Sequence, residues 1–307
     1  MILTAGLGTR LRPLTDVRAK PALPVAAEPM IRRIIRWLAG NGVTDLVLNL
    51  HHRPDTLTAA VGDGSDLSAS VRYSWEQPVV LGSAGGPRLA LPLIGADRFL
   101  ILNGDTLTDV DVHALAASHG TRGALVTLAL VPNREPLRYG GVCLDAEGRV
   151  TGFVARGPAA EASYHFVGVQ VAEADVFRPL PAGQPAQSIG GIYDALIAAR
   201  PGAIRGYVSH ARFWDVGTLS DYWATSRAFT HAEGAPDVSC GRRVHIDPTA
   251  RVTCSILWDD VDVERDAVVD ECVITDGVRV PAAASYHRMI LLRAFDGTVR
   301  AAPLPLR

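Results

Sequence analysis

The chain opens on an apolar run, Met1 to Thr4, long enough for one short buried strand, and breaks at Gly6 and Gly8. After Glu28-Pro29 the residues Ile31, Ile34, Ile35 and Leu38 recur at helical spacing until Gly40 and Gly42, so a helix starting at Glu28 is predicted to cover one face of a sheet. Asp45 to Leu50 and, more briefly, Val71 to Ser74 read as buried strands. Strand, helix, strand in this order predicts a parallel sheet. Phe99 to Leu102 is apolar throughout, as a central strand must be, and Ala124 to Val131 repeats the pattern. Helices fit Pro87 to Leu91, Val112 to Ser118 and Ile189 to Ala199, with one more beginning near Leu219. Tyr139 to Val154 predicts a hairpin turning at Asp145 to Gly148, and Phe166 to Val169 a further strand.

From Val238 the rhythm changes. Val244, Ala250, Ile256, Val261, Ala267 and Val273 recur every five or six residues, and Ile246, Val252, Trp258, Val263, Val269, Ile274 and Val280 follow two positions behind. A period near six predicts about two turns of a left-handed β-helix, although the glycines usual at its corners are mostly missing. So short a solenoid leaves its ends uncovered, and is expected to pack on the preceding domain or to make a homo-oligomer through a second copy. Three stretches are therefore expected: 1–232, a repeat at 236–284 and a tail strand at 285–307. The fold class is α/β, a Rossmann-like, mostly parallel sheet with helices on both faces, followed by the short β-helix.

The candidate chemistry starts with Ala5-Gly6-Leu7-Gly8-Thr9, where two glycines let the backbone turn with its N–H groups exposed, as a phosphate-wrapping loop requires. Arg10 and Lys20 supply two cations, and Pro13, Pro21 and Pro24 argue against a helix between them. The dinucleotide fingerprint needs a third glycine where Leu11 and Arg12 stand, and a P-loop needs Gly-Lys-Ser or Gly-Lys-Thr, which is absent. A plain glycine turn would account for the two glycines but not for the two cations. Leu81-Gly82-Ser83-Ala84-Gly85-Gly86 could lay a flat base against bare backbone, and by spacing alone is equally consistent with a flexible turn. Asn103-Gly104-Asp105 follows the central strand, so its carboxylate either points into the crevice or caps the turn. Asp109 and Asp111 precede a helix, where capping explains them, and Asp215 stands before the Leu219 helix in the same way. His51 and His52 are adjacent on a strand and point to opposite faces, so surface or packing roles outweigh a shared metal.

Composition removes several classes. Thirty basic and 32 acidic residues leave a net charge of -2, whereas binding nucleic acid through bulk electrostatics calls for a basic chain. Cys143, Cys240, Cys254 and Cys272 form no CxxC pair, and 307 residues bury enough core to dispense with disulfides. No apolar stretch approaches the ~18 residues of a membrane span, and no leader precedes the first strand. A reducing cytoplasm is the expected compartment.

The runs GLGTRLRPLT and AKPALPV, then LGSAGG at 81–86, NGD at 103–105 and FWDVGT at 213–218, resemble in content and order the signature of the sugar-nucleotide pyrophosphorylases. These enzymes join a nucleoside triphosphate to a sugar 1-phosphate and release pyrophosphate. The resemblance covers residues 1 to about 230, and hexapeptide repeats follow in many members. Members also run a few residues further at the start, so a clipped or misassigned beginning is the expectation here. The resemblance implies catalytic roles for Arg10 and Lys20, and nucleotide contacts from Leu3, Ala5, Gly6, Gly8, Thr9, Gln77, Gly82 and Ser83. It implies sugar or phosphate contacts from Asn103, Gly141, Arg156 and Gly168, with Gly141 letting the sugar ring approach the backbone. Mg²⁺ is implied as cofactor, on Asp105 and Asp215. Members commonly carry Glu-Lys-Pro after the hairpin, where this chain has Ala155-Arg156-Gly157-Pro158. Arg156 can replace the lysine, the carboxylate is lost, and Glu161 is a candidate substitute. That departure keeps a nucleotide-sugar-binding regulatory homologue as the alternative. A dehydrogenase binding NAD is remote, because Glu28 precedes a helix where an acidic residue closing a second strand is needed.

Overall fold

The computed structural model of the chain describes residues 1–121, 123–234 and 237–306, so the expected limits at Pro236 and Arg307 lie outside the described residues. It divides into two compact units that do not follow chain order. The first holds Met1–Gly6, Ile34–His52 and Val61–Phe213; the second holds Leu7–Arg33, Arg53–Ala60 and the chain from Trp214 onward.

In the first unit nine strands form one sheet: β1 (Ile2–Leu3), β2 (Asp45–Leu50), β3 (Ser70–Trp75), β4 (Arg98–Asn103), β5 (Val126–Pro132), β6 (Gly141–Leu144), β7 (Val150–Val154), β8 (Tyr164–Glu173) and β9 (Ile204–Val208). The order is β7-β6-β8-β4-β1-β2-β3, with β5 on β8 and β9 on β5. Strands β3, β2, β1 and β4 are parallel, with Ile2 opposite Leu48 on one side and Leu102 on the other. Strand β8 runs antiparallel to β4 and β5, and β6 with β7 makes the predicted hairpin. Chain order reverses across β1, and in such sheets the crevice beyond the carboxyl ends of the strands at that point holds the ligand. Helices Gly82–Ile94, Val112–Thr121 and Tyr193–Ala199 pack on these strands. Their core joins Ile101, Leu128 and Leu130 to Phe177 and Tyr193, with the Phe99 and Phe177 rings 6.0 Å apart.

Several elements depart from the apolar pattern. Strands β3 and β4 run past their apolar runs at both ends, because ladder pairing rather than hydrophobicity sets their length. Helix Gly82–Ile94 begins inside the glycine run that predicts a turn. The helix predicted from Ile189 begins only at Tyr193, since Ile189, Gly190 and Gly191 have non-helical dihedrals. Glu28-Pro29 pairs with Pro24-Val25 instead of starting a helix, which runs Met30–Gly40. The prolines of the signature loop do not exclude helical turns: Thr9–Leu11 and Lys20–Ala22 are 3₁₀ turns and Leu14–Val17 is one α-turn. Pro13 and Pro21 stand at the starts of these turns, where a missing N–H costs nothing. Among the described residues no helix is long and apolar enough to cross a membrane.

The second unit carries the repeat as a three-sided parallel β-helix. Its ladders step by seventeen residues: Ser239, Ile256, Val273, Ile290 on one side, His245, Asp262, Arg279 on the next, Arg251, Val268, Ser285 on the third. These make three coils where the periodicity predicts about two. At the corners Arg243, Asp260 and Asp266 stand in for glycine with left-handed φ of 54, 61 and 61°; for the two aspartates, a short polar side chain tolerates that region by bonding locally. Val261, Val263, Ala267, Val269, Ile274 and Val280 fill the interior. Of the predicted tail, Ser285–His287 completes the third coil, and Met289–Arg293 pairs antiparallel with Val299–Pro303.

Candidate active site

In the first unit, a buried polar frame joins the carboxyl ends of β1, β2 and β3. Thr4 N–H donates to Asn49 Oδ1 at 2.6 Å, and Thr4 Oγ1 donates to the Asn49 carbonyl. Asn49 Nδ2 donates to Glu76 Oε1 at 2.7 Å, and Leu81 N–H donates to Glu76 Oε2 at 2.7 Å. His51 Nδ1 meets the Glu76 carbonyl at 2.9 Å, the packing role its position predicts. Leu3 and Ala5 bracket this frame, while Gly6 is exposed with open space where a Cβ would stand. Gly82 and Ser83, in the first turn of helix Gly82–Ile94, meet a segment the sequence does not point to. Gln187 Nε2 lies 2.6 Å from where a Gly82 Cβ would be, and Ser83 Oγ donates to Gln187 Oε1 at 3.1 Å and accepts from Ser188 N–H at 2.9 Å. Gln77, the residue predicted from the motif, is exposed beside the buried Glu76.

At the end of β4, Gly104 N–H donates to the Leu3 carbonyl at 2.9 Å, which brings Asn103 and Asp105 to the β1 edge. Gly168 sits in the irregularity of β8 at φ 79°, and a Cβ there would stand 2.9 Å from Asn103 Nδ2. Asn103 and Gly168 are thus together. Asp111 accepts from Ala114 N–H at 2.9 Å, the capping role predicted for it, whereas Asp109 accepts from Arg212 N–H at 2.7 Å and ties two distant segments instead of capping the helix. The space beside Gly141 is filled by Ser163 Oγ and by Val154, so protein packing requires a glycine where an approach of the sugar ring is predicted. Beside the hairpin, His165 stacks on Tyr139 and Phe213 with centroids 4.2 and 4.8 Å away, and burial holds its pKa down to about 4. Arg156 and Glu161 are both exposed.

In the second unit, the signature loop turns at Gly8, whose φ of 61° places its carbonyl to accept from Leu11 N–H at 2.9 Å and Thr15 Oγ1 at 3.0 Å. A side chain there would meet Thr15 Cγ2 at 2.7 Å as well as adopting a strained backbone, so glycine is doubly required. Thr9 and Arg10 follow exposed, while Lys20 is buried with its Cβ against Gly8. Arg10 meets Asp215 around Gly217: Asp215 Oδ2, Arg10 Nη1 and Asp221 Oδ2 lie 3.3, 3.4 and 3.4 Å from the point a Gly217 Cβ would occupy. Asp215 is not the cap of helix Leu219–Ala232. Thr218 is, accepting from Asp221 N–H at 3.2 Å and donating to Asp221 Oδ2 at 2.8 Å. Asp215 thus borders Gly217 together with Arg10, and its carboxylate oxygens are hard donors of the kind Mg²⁺ takes.

Asn49, Glu76, Gln187, Ser188 and Asp221 are the neighbours of these residues that motif reading passes over. A glutamate directly after a strand and six residues before a glycine-rich helix start was the available signal for Glu76. Gln187 had none, because more than a hundred residues separate it from Ser83.

The Nucleotidyl transferase family model matches residues 1–232, and the GlmU-like C-terminal hexapeptide model matches residues 238–286. The mannose-1-phosphate guanylyltransferase of Mycobacterium tuberculosis is 31% identical over 298 residues, covering 94% of this chain and 82% of that protein. The UTP–glucose-1-phosphate uridylyltransferase of Synechocystis is 27% identical over 298 residues, covering 91% and 76%. Among solved structures, HddC from Yersinia pseudotuberculosis superposes with a TM-score of 0.64 at 23% identity, over 74% of this chain and 97% of that one. HddC has also been solved complexed with GMP-PN. At that identity the likeness concerns the fold alone.

Proposed function

This chain belongs to the nucleotidyl transferase family, and from that premise we propose that it makes a nucleoside diphosphate sugar and pyrophosphate from a nucleoside triphosphate and a sugar 1-phosphate. A phosphate oxygen of the sugar 1-phosphate attacks the α-phosphorus in line, and the oxygen bridging to the β-phosphorus leaves with pyrophosphate. Charge is the main obstacle to such a transfer, so positioning and electrostatics carry it. The observation that supports the reading best is the meeting of Arg10 with Asp215 around Gly217. It brings a permanent cation of the signature loop to the same glycine as a carboxylate from more than two hundred residues away.

In this reading Arg10 takes up charge growing on the departing pyrophosphate, and Lys20 clamps phosphate oxygens. Leu3, Ala5, Gly6, Gly8 and Thr9 line the triphosphate, and Gly82 and Ser83, with Gln77, face the base. Asn103, Gly168 and Arg156 hold the sugar phosphate. The carboxylates of Asp105 and Asp215 are the proposed Mg²⁺ ligands; when bound, the ion neutralises phosphate charge. The named relatives support a guanylyl or uridylyl donor with a hexose 1-phosphate acceptor.

The test is pyrophosphate release from a panel of triphosphates and sugar 1-phosphates with Mg²⁺. Arg10→Ala and Asp105→Ala are each expected to lose about 10²- to 10³-fold in rate with the fold intact. Near-normal rates in either variant would remove that residue from the reaction. A folded wild type inert towards the whole panel but binding nucleotide sugar would favour the regulatory homologue, the reading that the exposed Arg156 in place of Glu-Lys-Pro keeps open.

A further inference from the structure

Glu76 has no exposed surface, yet it is a carboxylate at the end of β3 with both oxygens engaged. Its two partners can only donate. Leu81 offers a backbone N–H. Asn49 has its carbonyl oxygen committed to the Thr4 N–H, which fixes its amide so that the NH₂ faces Glu76. Two donors converge on one buried side chain, each on its own oxygen, and of the residues of this size glutamate brings two oxygens to meet them. The fit leaves no slack: a Cβ at Gly86 would lie 2.5 Å from Glu76 Oε1 and 2.9 Å from Asn49 Nδ2.

What the carboxylate ties together gives it a function. Through Asn49 it holds Thr4, the last residue before Ala5 and Gly6, and directly it holds Leu81, the residue before Gly82 and Ser83. We infer that Glu76 is a positioning residue for the nucleotide: it fixes the spacing between the backbone that receives the phosphates and the backbone that receives the base. This rests on the nucleotide reading of Ala5, Gly6, Gly82 and Ser83. Its two oxygens also lie at the amino end of helix Gly82–Ile94, where the macrodipole favours acceptors.

The isosteric Glu76→Gln keeps the volume but offers one acceptor and one NH₂, so one donor faces a donor. It is expected to raise KM for the nucleoside triphosphate about tenfold, the cost of one unmet buried hydrogen bond, with KM for the sugar 1-phosphate within about twofold. The double variant Glu76→Gln/Asn49→Asp rebuilds the pattern with the charge moved to position 49. The carboxylate introduced there would accept from Thr4 N–H and from the NH₂ of the amide introduced at position 76, whose oxygen is then left to accept from Leu81 N–H. Nucleotide KM should return to within about threefold of wild type.

Wild-type nucleotide binding by calorimetry is measured first; its absence would end the nucleotide reading before any variant is compared. With that binding present, an unchanged nucleotide KM in Glu76→Gln, or a fall in kcat alone with both KM values unmoved, would overturn the positioning role. If Glu76→Gln does not fold, the double variant decides: a wild-type nucleotide affinity supports the inference, and a raised dissociation constant in the folded double variant overturns it.

Discussion

His165 lies between two aromatic rings beside the β6–β7 hairpin, and burial, with the Arg138 charge nearby, lowers its pKa from 6.5 to about 4 against the opposing bond to the Gly140 backbone. The folded ring therefore stays neutral down to about pH 4, while in the unfolded chain it protonates near 6.5. Between those values the unfolded state binds the extra proton, so this residue makes stability fall as pH falls through that window, and adds nothing above it. His165→Phe keeps a ring in the stack and is expected to flatten the denaturant midpoint between pH 6.5 and 4. An unchanged slope would show that another group carries the acid sensitivity. At this scale a motif fixes the residue type, and Arg10 and Asp215, named from it, both border Gly217. At Glu76 the sequence offered only a place, after a strand and before a glycine-rich helix, because a buried carboxylate between two donors and an exposed loop glutamate are written with the same letter.

Arg18 belongs to the signature segment and shows what the repeat does within the second unit. Its Nε donates to Asp276 Oδ2 at 2.7 Å and its Nη2 to Asp276 Oδ1 at 2.5 Å and Asp259 Oδ2 at 3.0 Å, with the guanidinium 5.3 Å from the Trp258 ring centre. Beside it Trp258 Nε1 donates to Tyr222 OH at 2.9 Å, and Tyr222 OH donates to the Pro24 carbonyl at 2.8 Å. Two successive coils of the β-helix, with Tyr222 of helix Leu219–Ala232, thus brace both ends of the Arg18–Pro24 stretch that contains Lys20. Arg18→Ala would leave two carboxylates of the brace without this cation. It is expected to destabilise by about 2–3 kcal/mol, less than a fully buried pair because Asp276 is partly solvated and Arg242 still serves Asp259. Denaturant unfolding checks this, and a loss below about 0.5 kcal/mol would place the brace elsewhere. The period of six was readable from the apolar positions, but the coil count was not. The seventeen-residue step shows only when Ser239, Ile256 and Val273 are seen side by side.

Across the whole molecule, the order of motifs along the chain carried the family and the sheet class. The apolar runs at Asp45–Leu50 and Phe99–Leu102 gave parallel neighbours of β1 because a strand buried on both faces leaves an unmistakable pattern. The compact units were not readable, since the second gathers Leu7–Arg33, Arg53–Ala60 and the chain from Trp214 onward from three separate stretches. Nor was the base or the sugar: at Gly82 and Gly168 the groups offered are backbone, and backbone contacts leave no letter in the sequence. The reaction itself is open to direct observation by ³¹P NMR of the wild-type protein with Mg²⁺, GTP or UTP, and mannose or glucose 1-phosphate. The account predicts that for at least one pairing the pyrophosphate signal and the two diphosphate signals of a nucleotide sugar grow together in equal amounts. Spectra that stay unchanged for every pairing with folded protein, or that show only inorganic phosphate, would contradict it.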